Sequence, residues 1–583
     1  MKELSYLNKY LYKYKTQLFL GILITIVSRI FSLFAPRLIN NSLTIVEAYI
    51  TEQTILIQEV KEELAINIVL IIVTSLISGF LTFLTRQTII NVSRYIEFDL
   101  KNEIFLHYQN LSMDFYKNNR TGDLMTRVSE DVSKVRMYFG PALMYSITTT
   151  SLFIIVIASM INIAPQLALY TLIPLPILSI IIYKLSKAVN FRTTIIQETL
   201  ADLSSFTQES FSGISVIKSY NIESKIQNDF NLLALKSRDK NLDLARVQSW
   251  FFPLMILMIG LSNLLVIFIG GNQYISGEIE IGVLAEFILY VFMLTWPVAT
   301  VGWVTSIIQQ AEASQKRINV FLNKIPKIKD GEIKRKITSG KIEFRMVDYI
   351  YKETNIQALK NISFLINPGE TIGLIGNTGS GKSTILDLIC RLYDSSKGKI
   401  FIDSNDVKNY SLNTLRASIG YVTQNPFLFS DTILENIKFG NFNAKNSDVE
   451  RVAKQASVHE DIERFQNGYQ TILGERGITL SGGQKQRISI ARALIKNPQI
   501  LLFDDCLSSV DADTEEKIQK NIKSLALNKT TIIVSNNISS IIDADKILVI
   551  ENGEITQIGT HKELMKLNGY YKSLFKKQNT RKF

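Results

Sequence analysis

The spacing of apolar residues changes once along the chain. Up to about residue 320 they gather in long runs, near Gln17–Asn40, Leu64–Ile90, Phe139–Ile161, Gln166–Leu185, Trp250–Gly271 and Val283–Ile308. A helix crosses a bilayer with about 20 such residues, so six spans are predicted. Beyond Phe321 the runs shorten to strand length, Ile342–Met346, Ile362–Ile366 and Thr371–Ile375, and alternate with turns and helical stretches. That is an α/β pattern. Between the two regimes, residues 323–340 are charged and broken by Pro326, Gly331 and Gly340, as a connector would be. The expected organisation is an α-helical membrane domain over 1–322, a linker over 323–340 and an α/β domain over 341–583.

Six crossings leave both ends of the membrane domain on one side, and Lys and Arg indicate which. Lys2, Lys9, Lys13 and Lys15 precede the first span, Arg86–Arg136 carries eight basic residues and Lys184–Arg246 carries nine. The three opposite loops hold only Lys61 among Glu47, Glu52, Glu59, Glu62, Glu63, Glu278 and Glu280. Cytoplasmic loops are the basic ones, so both termini and the two long linkers are expected inside. The linkers keep helical periodicity, which predicts spans extending into the cytoplasm towards a docked domain. The first apolar run is too long for a signal-peptide core and lacks a small-residue cleavage site, so it reads as a retained span. Arg29 falls within that run, where a charge marks either a cargo contact or a water-filled cavity. Trp296-Pro297 in the sixth run predicts a local bend in a pathway-lining helix.

Composition narrows the picture further. With 583 residues, 46% hydrophobic and 20% charged, the chain is neither disordered nor one ordinary soluble domain. Its net charge of +11 is in part the loop bias just described, so no nucleic-acid partner is expected. Cys390 and Cys506 have no metal or disulfide spacing and read as buried thiols.

The chemistry lies in the second half. Gly376-Asn377-Thr378-Gly379-Ser380-Gly381-Lys382-Ser383-Thr384 follows the apolar strand TIGLI and precedes the helical run TILDLICRL. A glycine-rich turn opening a helix cradles phosphates on backbone N–H groups, while Lys382 reaches the outer phosphates and Ser383 ligates Mg²⁺. The strand Gln499–Phe503 ends in Asp504-Asp505, and an acid at that place holds the Mg²⁺ shell. Leu480-Ser481-Gly482-Gly483-Gln484 opens another helical run and makes a second anion nest. One ATP reaches both nests only if the fold joins them or if two copies of the domain sandwich the nucleotide.

In the order and spacing of these motifs the chain resembles an ABC exporter half-transporter, over essentially its whole length. The resemblance implies ATP as substrate, Mg²⁺ as cofactor, membrane lipid around the spans, and a second half-transporter as partner. It implies that Tyr351 in VDYIY stacks on adenine, that Gln424 is the Q-loop residue near Mg²⁺, that Glu475 belongs to the X-loop, and that Ser508-Ser509-Val510-Asp511 is the D-loop. Asp114–Arg127 and Glu209–Tyr220 resemble the regions of the two coupling helices.

Two positions depart from the family. Members competent at both sites usually carry Glu after the Walker B Asp, to polarise the attacking water, where this chain has Asp505. One methylene less withdraws the carboxylate by about a bond length, and placement governs general-base work. The switch His that contacts the γ-phosphate is replaced by Asn536, in TTIIVSNNISSI. Together these resemble the degenerate subunit of heterodimeric exporters, with a poor site on this chain's Walker motifs and a good one on the partner's, completed by Ser481–Gln484 from here. The span-six sequence looks most like the bacterial multidrug branch, and the expected cargo is hydrophobic or amphipathic, drug-like or lipid. A homodimeric lipid-A or peptide-type exporter, a regulatory subunit of a transporter or channel, and a soluble DNA-acting ATPase are the other classes, and the six spans oppose the last.

Overall fold

The computed structural model describes residues 3–52, 56–474, 477, 480–506, 517–518, 520–521 and 529–580. It divides into two compact units, Met1–Gln109 with Thr121–Lys324, and Asn110–Arg120 with Ile325–Phe583.

The first unit is built on six long helices: α1 Lys15–Thr51, α2 Ile57–Asn110, α3 Thr121–Ile163, α4 Pro165–Ser212, α5 Glu223–Ile275 and α6 Ile281–Leu322. Each contains a window apolar enough to cross a membrane. The apolar surface is turned outwards as much as inwards. In α2, Ile66, Ile68, Val69, Leu76 and Phe80 are exposed. In a hydrocarbon solvent such exposure carries no penalty, and backbone groups must be satisfied within the helix itself. Polar extensions lengthen α2, α4 and α5 well beyond the apolar windows. Single π turns interrupt α2 at Arg86–Ile90, α3 at Arg127–Asp131 and Tyr138–Ala142, and α5 at Val266–Gly270.

The centre of this unit is a cluster from α3, α4 and α6, including Val156, Leu178, Phe287 and Leu294. Inside it lies a carboxylate that periodicity did not single out. Glu286 is fully buried, accepting from Tyr290 Oη at 2.5 Å and from the Asn40 amide. The bond to Asn40 joins α6 to α1, and a buried polar group left without partners would be costly. Close approach of the two helices depends on Gly282, where an added Cβ would fall 2.3 Å from the Asn40 carbonyl oxygen. Arg29 is half-buried, with Nη2 donating to Thr82 Oγ1 at 2.8 Å and Ser28 Oγ at 3.3 Å. Trp296 is exposed on α6, which runs unbroken through Pro297.

The second unit has two sheets. Strands β1 (Ile342–Tyr351), β2 (Ile356–Ile366), β4 (Lys397–Ile402) and β5 (Asn405–Asp406) form an antiparallel sheet in the order β2-β1-β4-β5. The other sheet uses β3 (Thr371–Gly376), β6 (Ile419–Val422), β7 (Ile500–Asp504), β8 (Thr530–Val534), β9 (Lys546–Glu551) and β10 (Glu554–Gly559). Its order is β10-β9-β3-β8-β7-β6, with β9, β3, β8, β7 and β6 parallel. β7 is buried along its whole length, as a parallel strand covered on both faces must be. The segment after α6 is tied to this unit: Ile333 N–H donates to Asn409 O, and Asp403 accepts from the N–H groups of Thr338, Ser339 and Lys341. Cys390 and Cys506 are both buried and unbridged, as expected.

Gly282→Ala is expected to lower the thermal midpoint of the purified protein, since overpacking against backbone costs about 1–3 kcal/mol. Gly79→Ala, where an added Cβ meets nothing within 4 Å, should leave it unchanged or slightly raised.

Candidate active site

Four adjacent parallel strands, β3, β8, β7 and β6, bring their carboxyl ends to one edge of the sheet. Loops at such an edge line the ligand crevice of open α/β sheets. From β3 comes the turn 376–381, leading into α7 (Lys382–Ile389). Gly379 and Gly381 have φ of +82° and +102°, backbone that a side chain would strain. A Cβ on Gly376 would lie 2.0 Å from Ile550 O and one on Gly381 2.4 Å from Ala358 O. The turn is therefore closely backed by protein while its crest at Gly379 stays open.

Lys382 folds back over this turn, Nζ donating to Gly376 O at 2.8 Å and Asn377 O at 2.9 Å. Burial lowers its pKa, opposed by the charges of Asp505 and Asp504. Ser380 Oγ is buried without a hydrogen-bond partner among the described residues. A phosphate would satisfy both groups. Ser383 Oγ donates to Asp504 Oδ1 at 3.0 Å. Burial raises the Asp504 pKa and Asp505 adds to the rise, while the Ser383 bond opposes it. A hydroxyl beside a carboxylate suits Mg²⁺, which is usually held by one or two carboxylates plus phosphate oxygens.

The register of β7 on β8 pairs Asp504 with Val534, so the residues that follow leave the sheet side by side. Asp505 turns at φ +43° while its N–H still donates to Val534 O at 2.9 Å. Asn536 Nδ2 donates to Asp505 Oδ2 at 2.7 Å, and Gln424 Nε2 approaches the same oxygen at 3.5 Å. Asp505 and Asn536, the two positions singled out in the sequence, thus bond to each other.

Tyr351 Oη lies 3.1 Å from Thr384 Oγ1, with its ring edge-on to Tyr393. Lys117 Nζ sits over both rings, 4.8 and 4.9 Å from their centroids. Leu480 is buried, and Ser481 caps α8 (Gly482–Leu494): Ser481 Oγ accepts from Gln484 N–H at 3.3 Å, and Gln484 Oε1 accepts from Ser481 N–H at 3.0 Å. The core of α8 is separate from that of α7, and no hydrogen bond among the described residues joins Leu480–Gln484 to 376–384. Glu475 and Asp511 lie outside the described residues.

The family model of the ABC transporter transmembrane region matches residues 18–298, and the model described as ABC transporter matches 359–508. The multidrug resistance-like ATP-binding protein MdlA of Escherichia coli is 33% identical over 559 residues, covering 96% of this chain and 93% of that protein. The chain belongs to the ABC exporter family. YheI of Bacillus subtilis, described as a probable multidrug resistance ABC transporter, is 32% identical over 561 residues, covering 96% of this exporter and 94% of the relative. A bacterial Atm1-family ABC exporter with ATP bound shares the fold, with a TM-score of 0.80 at 24% identity, over 97% of this chain and 99% of that one. The exporter is accordingly a multi-pass membrane protein and an ATPase coupled to transport, and its fold implies a second half and a transported substrate.

Asp387 was not anticipated, although a charge inside the apolar run TILDLI was a visible signal. It accepts from Tyr421 Oη at 3.2 Å, and burial pushes its pKa up to about 6 from an ordinary 3.8. The Tyr421 bond and Lys117 oppose the rise, and Asp504 adds to it. The folded exporter thus holds this proton more tightly than the unfolded chain. Its stability falls as pH rises through the interval from about 4 to about 6, and the loss is complete above it. Asp387→Asn, which keeps an acceptor for Tyr421, should raise the thermal midpoint over the parent at pH 8 and leave it unchanged at pH 4.

Proposed function

We propose that this chain is the degenerate-site half of a heterodimeric exporter that moves a hydrophobic or amphipathic substrate, drug-like or lipid, out across the cytoplasmic membrane. The observation that carries this reading is the bond from Asn536 Nδ2 to Asp505 Oδ2. ATP hydrolysis needs a water oxygen to attack the γ-phosphorus as the bond to the β-phosphate oxygen breaks and ADP departs. The water's proton must pass to a base within hydrogen-bond reach. Asp505 is a methylene shorter than Glu at that position, and its Oδ2 is taken by one amide with a second nearby. An amide donates to a carboxylate and does not itself titrate, so Asn536 holds Asp505 without serving as a proton relay.

Binding needs less than hydrolysis does. The 376–384 turn cradles the phosphates, Lys382 swings from its carbonyls to the outer phosphates, Tyr351 stacks on adenine, and Ser383, Asp504 and Gln424 would hold Mg²⁺. Bound there, the ion would supply positive charge against the charge that develops on the phosphate oxygens. Ser481–Gln484 complete the site of the partner, which carries Glu and His at the substituted positions. Closure of the two nucleotide domains is transmitted through the 114–127 and 209–220 regions, and both termini lie in the cytoplasm. Relatives named for multidrug resistance support the substrate class.

The test is co-reconstitution with the half-transporter encoded nearest this one, reading ATP turnover and drug or lipid transport. The chain alone should hydrolyse ATP weakly. In the pair, Ser481→Arg should abolish turnover while Asp505→Ala reduces it by less than about tenfold, since general-base assistance is worth 10²–10⁴-fold only at a site that uses it. Robust turnover by this chain alone, or the reverse order of the two variants, would overturn the asymmetric reading. Restoring Asp505→Glu with Asn536→His should raise the turnover of the chain alone.

A further inference from the structure

The segment that carries Asn536, here called the switch segment (535–541), and the phosphate turn share a support that no motif contains. α9 (Tyr570–Thr580) is the last described helix of the chain. Near its start Tyr570 Oη donates to Asn377 Oδ1 at 3.1 Å, inside the phosphate turn. Two turns later Gln578 Nε2 donates to Asn536 O at 2.8 Å, and its Oε1 accepts from Ile538 N–H at 3.0 Å. One side-chain amide thus grips both sides of the backbone that presents Asn536. Eight residues of helix span roughly 12 Å, so a single stiff rod touches both loops.

That rod is anchored. Tyr571 is fully buried in a small core with Ile375, the penultimate residue of β3, and Ile538 and Ile541 of the switch segment. Leu574 and Phe575 pack against the same cluster. The Tyr571 hydroxyl lies 2.8 Å from Nδ1 of His561, whose ring also meets Phe575. His561 begins a helix with its own capping box, Thr560 with Glu563. The C-terminal helix is therefore fastened on its buried face while its polar ends reach the two loops.

We propose that α9 is a positioning element of the nucleotide site, in which Gln578 sets the switch segment for a nucleoside triphosphate and Tyr570 steadies the phosphate turn. This rests on the assignment of 376–384 as the ATP site. Ser383 and Asp504, bonded to each other, would hold the metal that neutralises the outer phosphates. Asp505, Gln424 and Asn536 lie together just after Asp504, where the proposed function puts the γ-phosphate. Displacing the Asn536 backbone should then be felt by ATP and not by ADP. The phosphate turn meets both nucleotides, so the Asn377 contact should affect them alike.

The experiment measures binding of MgATP and MgADP to the full-length chain in nanodiscs, before and after substitution. Gln578→Ala should weaken MgATP about fivefold, the equivalent of one lost net hydrogen bond, with MgADP unchanged. Gln578→Glu retains the acceptor for Ile538 N–H and loses the donor to Asn536 O. It should reproduce most of the selective loss with a thermal midpoint close to the parent. Tyr570→Phe should weaken both nucleotides by the same factor. An unchanged ratio of ATP to ADP affinity in both Gln578 variants would overturn the proposal, as would an equal loss of both nucleotides accompanied by a lower midpoint, which is plain destabilisation. Lys382→Ala separates the two readings. If the parent binds MgATP and this variant does not, the site assignment stands whatever Gln578 does. A parent that fails to bind MgATP overturns both.

Discussion

The nucleotide half of this exporter depends on strand register. Because β3, β8, β7 and β6 run parallel and adjacent, the phosphate turn, the 535–537 segment, the Asp504-Asp505 pair and Gln424 must emerge at one edge. Pairing Asp504 with Val534 leaves Asp505 and Asn536 as near neighbours, whatever their side chains. A slip of one residue would turn every side chain in β7 to the opposite face. Its five residues, all buried, leave no tolerance for that. The geometry of the site follows from the packing of Ile500–Phe503, and the side chains at the edge decide only its chemistry.

That division explains the nature of the departure at Asp505 and Asn536. Neither substitution disturbs the sheet, since the Asp505 N–H keeps its ladder bond to Val534. Lys382 stays folded over the carbonyls of the phosphate turn, and Ser383 stays bonded to Asp504. On the proposed reading, the site loses proton-transfer competence and retains binding competence, because the two rest on different atoms. The membrane unit obeys another constraint. Its outer apolar residues need no partner, and specificity falls to small residues and buried polar bonds such as Gly282 against Asn40 and Glu286 with Tyr290.

Much of this was legible in the sequence. The six long apolar runs all fall in long helices, and the phosphate turn sits between a strand and a helix as its neighbours imply, because periodicity and glycine placement are local signals. Contacts between distant segments were not legible. Lys117 over Tyr351, Gln578 on Asn536 and Glu286 with Asn40 are each separated by 42 residues or more. Nothing in the neighbourhood of a glutamine at position 578 marks it as different from a solvated one. Asp387 is intermediate, since its charge in an apolar run was visible but the tyrosine that bonds it comes from β6.

The self-capped start of α8 has a consequence for selectivity. A helix end with free N–H groups attracts any passing phosphate. Here the Gln484 side chain already covers the Ser481 N–H, and Ser481 Oγ covers the Gln484 N–H. An incoming anion that used either of these two groups would first have to displace an internal bond of comparable strength. The start of α8 thereby offers a free phosphate fewer open donors than an uncapped helix end would. On the proposed reading the ligand it meets is a nucleotide already seated on a facing domain, which brings several contacts at once.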